Sequence, residues 1–208
     1  MIPLFVDCSK RRIVIFGGGE VAARKAAYFA GVAEVTVVSR SFRQKMIDLP
    51  VFPRRCDISA EPDTTLDAML DGAFLVIGAL SDPAQNNRIG RLCRKRGILF
   101  NNANGEQGDV ILPSVTGGTH YTLAISTDGS SPAISRFIRE HLEGEFPAMD
   151  KMIALQKRLR DELKHVVPDQ EQRNTILREV LRDRSVWTAL SADSAGAWSL
   201  IKKRYLHG

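Results

Sequence analysis

Three consecutive glycines separate an apolar segment from an alanine-rich segment near the start of the chain, in RRIVIFGGGEVAARK at 11–25. The spacing Gly17-x-Gly19-x-x-Ala22 fits the G-x-G-x-x-G/A pattern of dinucleotide sites. There the first glycine permits a tight turn, the second lets a pyrophosphate approach the backbone, and the small third residue lets the helix pack on the strand. Because the first turn of a helix has unpaired N–H groups and a positive dipole end, the segment predicts a dinucleotide-binding site.

Glycines between a strand and a helix also occur simply to make a sharp corner, so the surrounding pattern has to decide between the two interpretations. An apolar strand precedes the glycines and a helical pattern follows them. A second apolar strand, EVTVV at 34–38, then arrives at the spacing of a βαβ unit. This order of elements favours the nucleotide site.

The residues after the second strand are Ser39, Arg40 and Ser41. An acidic residue at this place binds the ribose 2′-OH of NAD, whereas a basic residue accommodates the 2′-phosphate of NADP. Because no carboxylate is present, these residues favour NADP or leave the choice open. A solvated surface arginine is the alternative interpretation of Arg40.

Strands and helices alternate up to about residue 112, which predicts an α/β fold with a Rossmann-like parallel, doubly wound sheet. Further strands are predicted at 54–57, 73–80 and 98–101, with a helix from Pro83 to Cys93. Ligands of such sheets bind beyond the carboxyl ends of the strands. The residues expected at this rim are Gly78, Ala79, Asn86 and 101–104.

The pattern changes after Pro113. A strand at 122–126 is followed by the turn TDGSSP at 127–132 and a helix from Pro132 to about Glu143. The amino-terminal end of this helix, with the hydroxyls of the turn, predicts a second anion-binding pocket; an ordinary helix cap is the alternative. From Pro147 onward, apolar residues recur every three or four positions and predict a small helical unit with a break at Pro168.

Composition limits the class of protein. A chain of 208 residues with 44% hydrophobic residues can bury a sizeable core. The three cysteines, at 8, 56 and 93, are odd in number and widely spaced, which indicates neither a disulfide framework nor a metal site and favours the reducing cytoplasm. The sequence contains no apolar run of about 18 residues and no export signal, so we expect a cytoplasmic protein.

The net charge of +5 suits an anionic partner. Basic residues are spread over several short clusters without interleaved aromatic residues or a DNA-reading motif. We therefore favour a small, multiply charged anion over nucleic acid or membrane. Solvated helix faces are the alternative interpretation of each cluster.

Three segments together resemble one enzyme family. MIPLFVDCSKRRIVIFGGGEVAARKA at 1–26, ILPS at 111–114 and AISTDGSSPAISRFIREHLE at 124–143 are similar to the precorrin-2 dehydrogenase and sirohydrochlorin ferrochelatase family, the amino-terminal module of siroheme synthase. The resemblance covers most of 1–147 and, more loosely, the helical remainder. Its specificity comes from the combination of a glycine turn followed by Arg24-Lys25 with an I-S-T-x-G-x-S-P turn about a hundred residues later.

The resemblance implies NAD-dependent oxidation of precorrin-2 to sirohydrochlorin, followed in some members by insertion of ferrous iron. It implies an NAD-binding domain at 1–112, a dimerisation region at 113–147 in a homodimer, and a helical carboxy-terminal domain at 148–208. It turns the choice of cofactor towards NAD. The predicted cofactor-binding residues are Gly17, Gly19, Glu20, Val21, Ala22, Ser39, Arg40, Ser41, Ala79 and Asn101. The predicted substrate-binding residues, chosen because the tetrapyrrole carries eight carboxylates, are Thr127, Ser130, Ser131, Arg136 and Arg139.

One position departs from the family. Where bifunctional members have an aspartate that serves as a base, this chain has Asn104, and an amide does not accept a proton near neutrality. Asp109 or Glu106 is an alternative source of the carboxylate, and Asp109 is equally interpreted as a turn residue before a strand at 110–112. Asn104 and Asp109 are thus the predicted catalytic positions.

Metal insertion requires a base to remove the pyrrole protons, whereas in dehydrogenation the cofactor carries the chemistry. We therefore predict dehydrogenase activity and impaired metal insertion. The competing hypothesis is a protein that binds NAD and tetrapyrrole without catalysis, as a carrier or sensor. A basic helical adaptor for nucleic acid has the least support.

Overall fold

A computed structural model describes residues 1–145 and 147–206. The chain divides into two compact units, Met1–Leu112 and Pro113–Gly208. In the part of the chain that the structure describes, no helix is both long and apolar enough to cross a membrane.

The first unit is a five-stranded, fully parallel sheet with strand order β3-β2-β1-β4-β5. This arrangement confirms the predicted Rossmann-like sheet. The strands are β1 (Arg12–Phe16), β2 (Glu34–Ser39), β3 (Phe52–Arg55), β4 (Ala73–Gly78) and β5 (Leu99–Asn102). The helices are α1 (Glu20–Phe29), α2 (Gln44–Ile47), α3 (Asp63–Met69) and α4 (Pro83–Arg96).

The central strand β1 fills the core on both faces of the sheet. Its successive side chains point to opposite faces, as in any strand. Val14 and Phe16 lie in one apolar cluster with Ile89 of α4, whereas Ile13 and Ile15 lie in a second cluster that includes the small residues of α1. All four β1 side chains are fully buried, which explains why this strand reads as a continuous apolar run.

Two strands of the first unit end earlier than the sequence predicts. Strand β3 lies at Phe52–Arg55 rather than 54–57, because the chain then turns at Asp57, whose carboxylate accepts the amide N–H of Ser59 (3.1 Å). Strand β4 ends at Gly78 rather than at residue 80, because the side chain of Asn86 in α4 forms hydrogen bonds with both the N–H and the carbonyl of Leu80. Both shifts place loop residues at the rim where strand residues were expected.

The second unit combines a two-stranded antiparallel hairpin with helices. Its strands are β6 (Ser114–Gly117) and β7 (Thr122–Ile125), and the predicted strand at 110–112 is absent, since the amide of Val110 instead bonds to the carbonyl of Phe100 (3.1 Å). Met152, Leu155, Leu159 and Leu163 form the core of the helical part. The helices are α5 (Pro132–Glu145), α6 (Met149–Val166), α7 (Gln170–Arg182), α8 (Arg184–Ala192) and α9 (Ser194–Ile201), followed by a π-helical turn at Lys202–Leu206.

Asp150, in the first turn of α6, holds the tip of the β6–β7 hairpin. Its carboxylate accepts the backbone N–H groups of Thr119 and His120, both at 2.9 Å, and these bonds lower the pKa of Asp150. A group whose pKa is lowered by folding adds stability above its unfolded pKa of about 3.9, and that stability is lost as the pH falls through the folded pKa.

We expect Asp150→Ala to be less stable than the wild type at pH 7, with a difference that shrinks as the pH falls below about 4. Urea unfolding of both proteins at pH 7 and at about pH 3 measures this. A difference that stays constant across this range would mean that the ionised carboxylate contributes nothing. Asp161→Ala, on the exposed side of the same helix, is the control.

Candidate functional site

A cleft of about 860 Å³ opens at the carboxyl ends of the parallel strands of the first unit. This is the rim where doubly wound sheets bind ligands, and the volume lies in the range of small-molecule and cofactor sites. The loops after all five strands contribute to it. Its lining residues are Gly17–Val21, Ser39–Arg43, Cys56–Ser59, Ala79–Asp82, Gln85, Ala103 and Asn104.

The first two glycines of the turn are required by backbone packing. Gly17 has a φ of +129°, and a Cβ there would overlap the carbonyl oxygen of Ala79. A Cβ on Gly18 would overlap the carbonyl oxygen of Ser41. Two backbone hydrogen bonds connect the turn to β2 and the loop that follows it. The amide of Gly17 donates to the carbonyl of Val38 (2.9 Å), and the carbonyl of Gly18 accepts from the amide of Arg43 (3.0 Å).

Gly19 differs from the other two because it faces open space. A Cβ on Gly19 would meet no atom within 4 Å, and its φ of −84° is open to any residue. Gly19 is also the N-cap of α1, and no side chain caps this helix. The open space and the uncapped N–H groups together fit a diphosphate at the helix terminus.

The loops after β2 and β3 form one side of the cleft. Ser39 is buried, and its carbonyl accepts the amide of Cys56 (3.1 Å), which keeps the two loops together. The guanidinium of Arg40 lies 3.6 Å from the carboxylate of Asp57. This side of the cleft therefore carries both a cation and an anion, although β2 itself ends without a carboxylate.

Asn86 of α4 fixes the opposite side. Its side chain is fully buried, accepts the amide of Leu80 (3.0 Å), and donates to the carbonyls of Leu80 (3.1 Å) and Asn104 (2.9 Å). Two loops that reach the cleft from β4 and β5 are thereby joined through one amide group. Asn104 lines the cleft and is itself exposed.

We expect Asn86→Ala to lower the free energy of unfolding by about 2–4 kcal/mol, because a fully buried side chain is removed and three backbone groups lose their partner. Urea denaturation measures this effect. Asn174→Ala, on an exposed face of α7, is the matched control and should leave the stability nearly unchanged. Equal losses in both variants would refute the role given to Asn86.

The alternative carboxylates in the β5 loop do not line the cleft. Asp109 accepts the amide N–H of Phe100 (3.2 Å), near the start of β5. Glu106 accepts from the side-chain amide of Asn87 (3.3 Å). Among the three positions considered as the base, only Asn104 faces the cleft.

Two predicted cofactor-binding residues also lie away from the cleft lining. Ala22 is fully buried in the apolar cluster beside β1. Asn101 is 5% exposed; it accepts a hydrogen bond from Lys25 Nζ (2.8 Å) and donates one to the carbonyl of Val110 (2.7 Å). Burial, together with nearby Arg24, lowers the pKa of Lys25. Both residues thus support the elements around the cleft, and their contact with a cofactor stays a prediction.

The remaining predicted cofactor-binding residues are brought together in the cleft: Gly17, Gly19, Glu20, Val21, Ser39, Arg40, Ser41 and Ala79. Sequence reasoning missed the other lining residues, which are Gly18, Phe42, Arg43, Cys56–Ser59, Leu80–Asp82 and Gln85. The third glycine of the run was the available signal for Gly18. Asp57 had a weaker signal, as a carboxylate at the end of a short strand.

The predicted substrate-binding residues lie in the second unit, where several already have partners. The Thr127 hydroxyl accepts the amide N–H of Ser131 (3.0 Å) in the turn before α5. Arg136 donates to Glu140 (2.7 Å) and Arg139 donates to Glu143 (2.7 Å), each one helical turn away. These bonds are exposed and intrahelical, so they leave the guanidinium groups free to exchange partners. Ser130 closes the turn through its amide, which bonds to the carbonyl of Thr127 (2.8 Å).

No group of three or more histidine, cysteine or acidic side chains is arranged to hold a metal ion within residues 1–145 and 147–206. The three cysteines are free thiols. Burial and the charge of Asp109 raise the pKa of Cys93 to about 12. This thiol therefore stays protonated at neutral pH.

Several known proteins resemble this chain in sequence or in fold. Residues 4–114 match the NAD(P)-binding family NAD_binding_7. A precorrin-2 dehydrogenase from Methanosarcina barkeri is 39% identical over 195 residues, which cover 91% of this chain and 87% of that protein. A siroheme synthase from Nitrosospira multiformis is 34% identical over 87% of this chain, and the match spans only 39% of that longer protein. The solved structure of SirC, a precorrin-2 dehydrogenase, shares the fold with a TM-score of 0.73 and 21% identity over 98% of this chain and all of that chain.

Proposed function

The chain belongs to the precorrin-2 dehydrogenase family, and we propose from this that it oxidises precorrin-2 to sirohydrochlorin in siroheme biosynthesis, with NAD as the hydride acceptor. The observation that carries the proposal is the cleft itself. Its uncapped helix terminus and the open space at Gly19 lie where a dinucleotide needs them. Bound NAD would supply the hydride acceptor, and the second hydrogen would leave the substrate as a proton to water.

The residues around the cleft fit the parts of NAD in order. The amides at the start of α1 would hold the diphosphate, and the loop at Ser39–Ser41 would hold the adenosine ribose. The β4 and β5 loops, joined by Asn86, would border the nicotinamide half. The protein's contribution to hydride transfer is mainly this orientation of cofactor and substrate.

We assign recognition of the substrate carboxylates to the second unit, through Thr127, Ser130, Ser131, Arg136 and Arg139. Guanidinium groups bind carboxylates in a bidentate geometry, which suits a polyacid. A substrate carboxylate would replace a glutamate as the partner of each arginine. Because such exposed pairs contribute little stability, the exchange has a low energetic cost.

We propose that the protein is a homodimer that uses residues 113–147, with 1–112 as the NAD-binding domain and 148–208 as the helical domain. Three apolar side chains on α5 support this, since Ile134, Phe137 and Ile138 are 50%, 66% and 36% exposed. We also place the protein in the cytoplasm, where its three thiols stay reduced.

The test is to incubate the purified 208-residue protein with precorrin-2 and NAD, and to follow both NADH and the sirohydrochlorin spectrum. We expect one NADH for each sirohydrochlorin formed and a lower rate with NADP. If both ligands bind and no NADH forms, the protein is a carrier rather than a dehydrogenase. Sedimentation of the same sample tests the homodimer.

A further inference from the structure

We propose that Asp57 recognises the adenine base of the bound dinucleotide by accepting a hydrogen bond from its exocyclic amine. The inference rests on the proposed function only in that the cleft must hold NAD. It adds a residue that determines which base is accepted, on a loop that contains no part of the glycine pattern.

The position of Asp57 along the sheet edge supports the assignment. The order β3-β2-β1 places the ends of these strands in a row, with neighbouring strands about 5 Å apart. The diphosphate belongs at the end of β1 and the ribose at the end of β2. In a nucleotide the base lies beyond the ribose, so the end of β3, where Asp57 lines the cleft, is the place for the base.

The surroundings of Asp57 suit a base. Phe42 and Leu80 also line the cleft and offer apolar surface for a planar ring. The amide N–H of Ile58 donates to no acceptor among the residues that the structure describes. A carboxylate and an adjacent backbone donor together complement the amine and the ring N1 of adenine.

Asp57 is held as an acceptor. The amide (3.1 Å) and hydroxyl (2.6 Å) of Ser59 both donate to its Oδ1, and bonding to Ser59 lowers the pKa of Asp57. The other oxygen, Oδ2, faces Arg40 at 3.6 Å, which is too long for a hydrogen bond. The carboxylate is therefore ionised at neutral pH and has acceptor capacity left for an amine.

Nicotinamide hypoxanthine dinucleotide tests the proposal directly. It differs from NAD in the base, where a carbonyl replaces the amine and N1 carries a hydrogen. We expect calorimetry on the wild-type protein to show about tenfold weaker binding of this analogue than of NAD. In Asp57→Asn the preference should fall to about threefold, because an amide can donate to the carbonyl as well as accept from the amine, whereas the mismatch between the Ile58 N–H and the N1 hydrogen remains.

Asp7→Asn is the matched control, since Asp7 also accepts the amide of the residue two positions later (2.9 Å) but does not line the cleft. It should keep the wild-type preference. Equal binding of NAD and the analogue by the wild type would overturn the inference even if Asp57→Asn failed to fold. A change in the NAD to NADP ratio without a change in base preference would place Asp57 at the ribose and overturn it as well. If the wild type bound no dinucleotide, the proposed function would fail too.

Discussion

Replacing Gly19 with valine should weaken NAD binding by about a hundredfold while lowering the free energy of unfolding by no more than about 1 kcal/mol, the cost of a poorer N-cap residue. The valine side chain would occupy the space that a diphosphate needs at the start of α1. In the folded protein without ligand this side chain would meet no atom within 4 Å at its Cβ, and the backbone angles of Gly19 suit valine. Ligand affinity and stability are thus separated at this position.

Calorimetry with NAD and urea unfolding of the same preparations measure the two quantities. Ala27→Val is the control, because Ala27 is an exposed residue of the same helix and does not line the cleft. It should bind NAD as the wild type does. Normal NAD affinity in Gly19→Val would show that the diphosphate does not approach this glycine and would remove the main support for the dinucleotide site.

Substitutions at the neighbouring glycines, Gly17 and Gly18, would not separate ligand affinity from stability. A Cβ on Gly17 or Gly18 would overlap a backbone carbonyl oxygen, so a substitution there disturbs the turn itself. Lost NAD binding in those variants would not distinguish a damaged fold from a blocked site. The sequence pattern treats Gly17 and Gly19 as one motif, whereas the structure shows that one shapes the turn and the other leaves room for a ligand.

The sheet was predictable because its central strands are apolar on both faces. The apolar runs at β1 and β4 predict buried parallel strands, since such strands consist of a short continuous run of apolar residues bounded by turn signals. The edge strand β3 carries less information, because all four of its residues are exposed and it includes Pro53. Its end was therefore misplaced by two residues, and the position of Asp57 in the cleft followed only from the pairing of β3 with β2.

The candidate site was less predictable than the sheet, because facing the cleft depends on side-chain partners that sequence does not specify. Asn101 and Asn104 lie three residues apart near the end of β5, and both were expected at the rim. Lys25 and Val110 hold the Asn101 side chain in a buried position, while Asn104 reaches the cleft. Asp109 likewise has a partner in Phe100, from a contact that no local pattern indicates.

The second large effect concerns metal insertion. Asn104→Asp should accelerate insertion of ferrous or cobaltous ion into sirohydrochlorin by about a hundredfold or more over the wild type, the range expected when a general base is supplied. The wild-type residue lines the cleft but offers only an amide, which does not take up the protons that leave the pyrrole nitrogens. Dehydrogenation should change little, because orientation of the cofactor carries that reaction.

The measurement is the initial rate of metal insertion with sirohydrochlorin supplied directly, so that no NAD-dependent step intervenes. Asn174→Asp adds the same charge on an exposed face of α7 and should behave as the wild type. The side chain at 104 has one weak partner to lose, the carbonyl of Ser81 at 3.5 Å, while the backbone carbonyl of residue 104 keeps its bond from Asn86. The loop should therefore keep its position in the variant. An unchanged rate of metal insertion would then contradict the prediction that the missing base at residue 104 limits this reaction. A wild-type rate already far above the uncatalysed reaction would instead show that another group removes the protons.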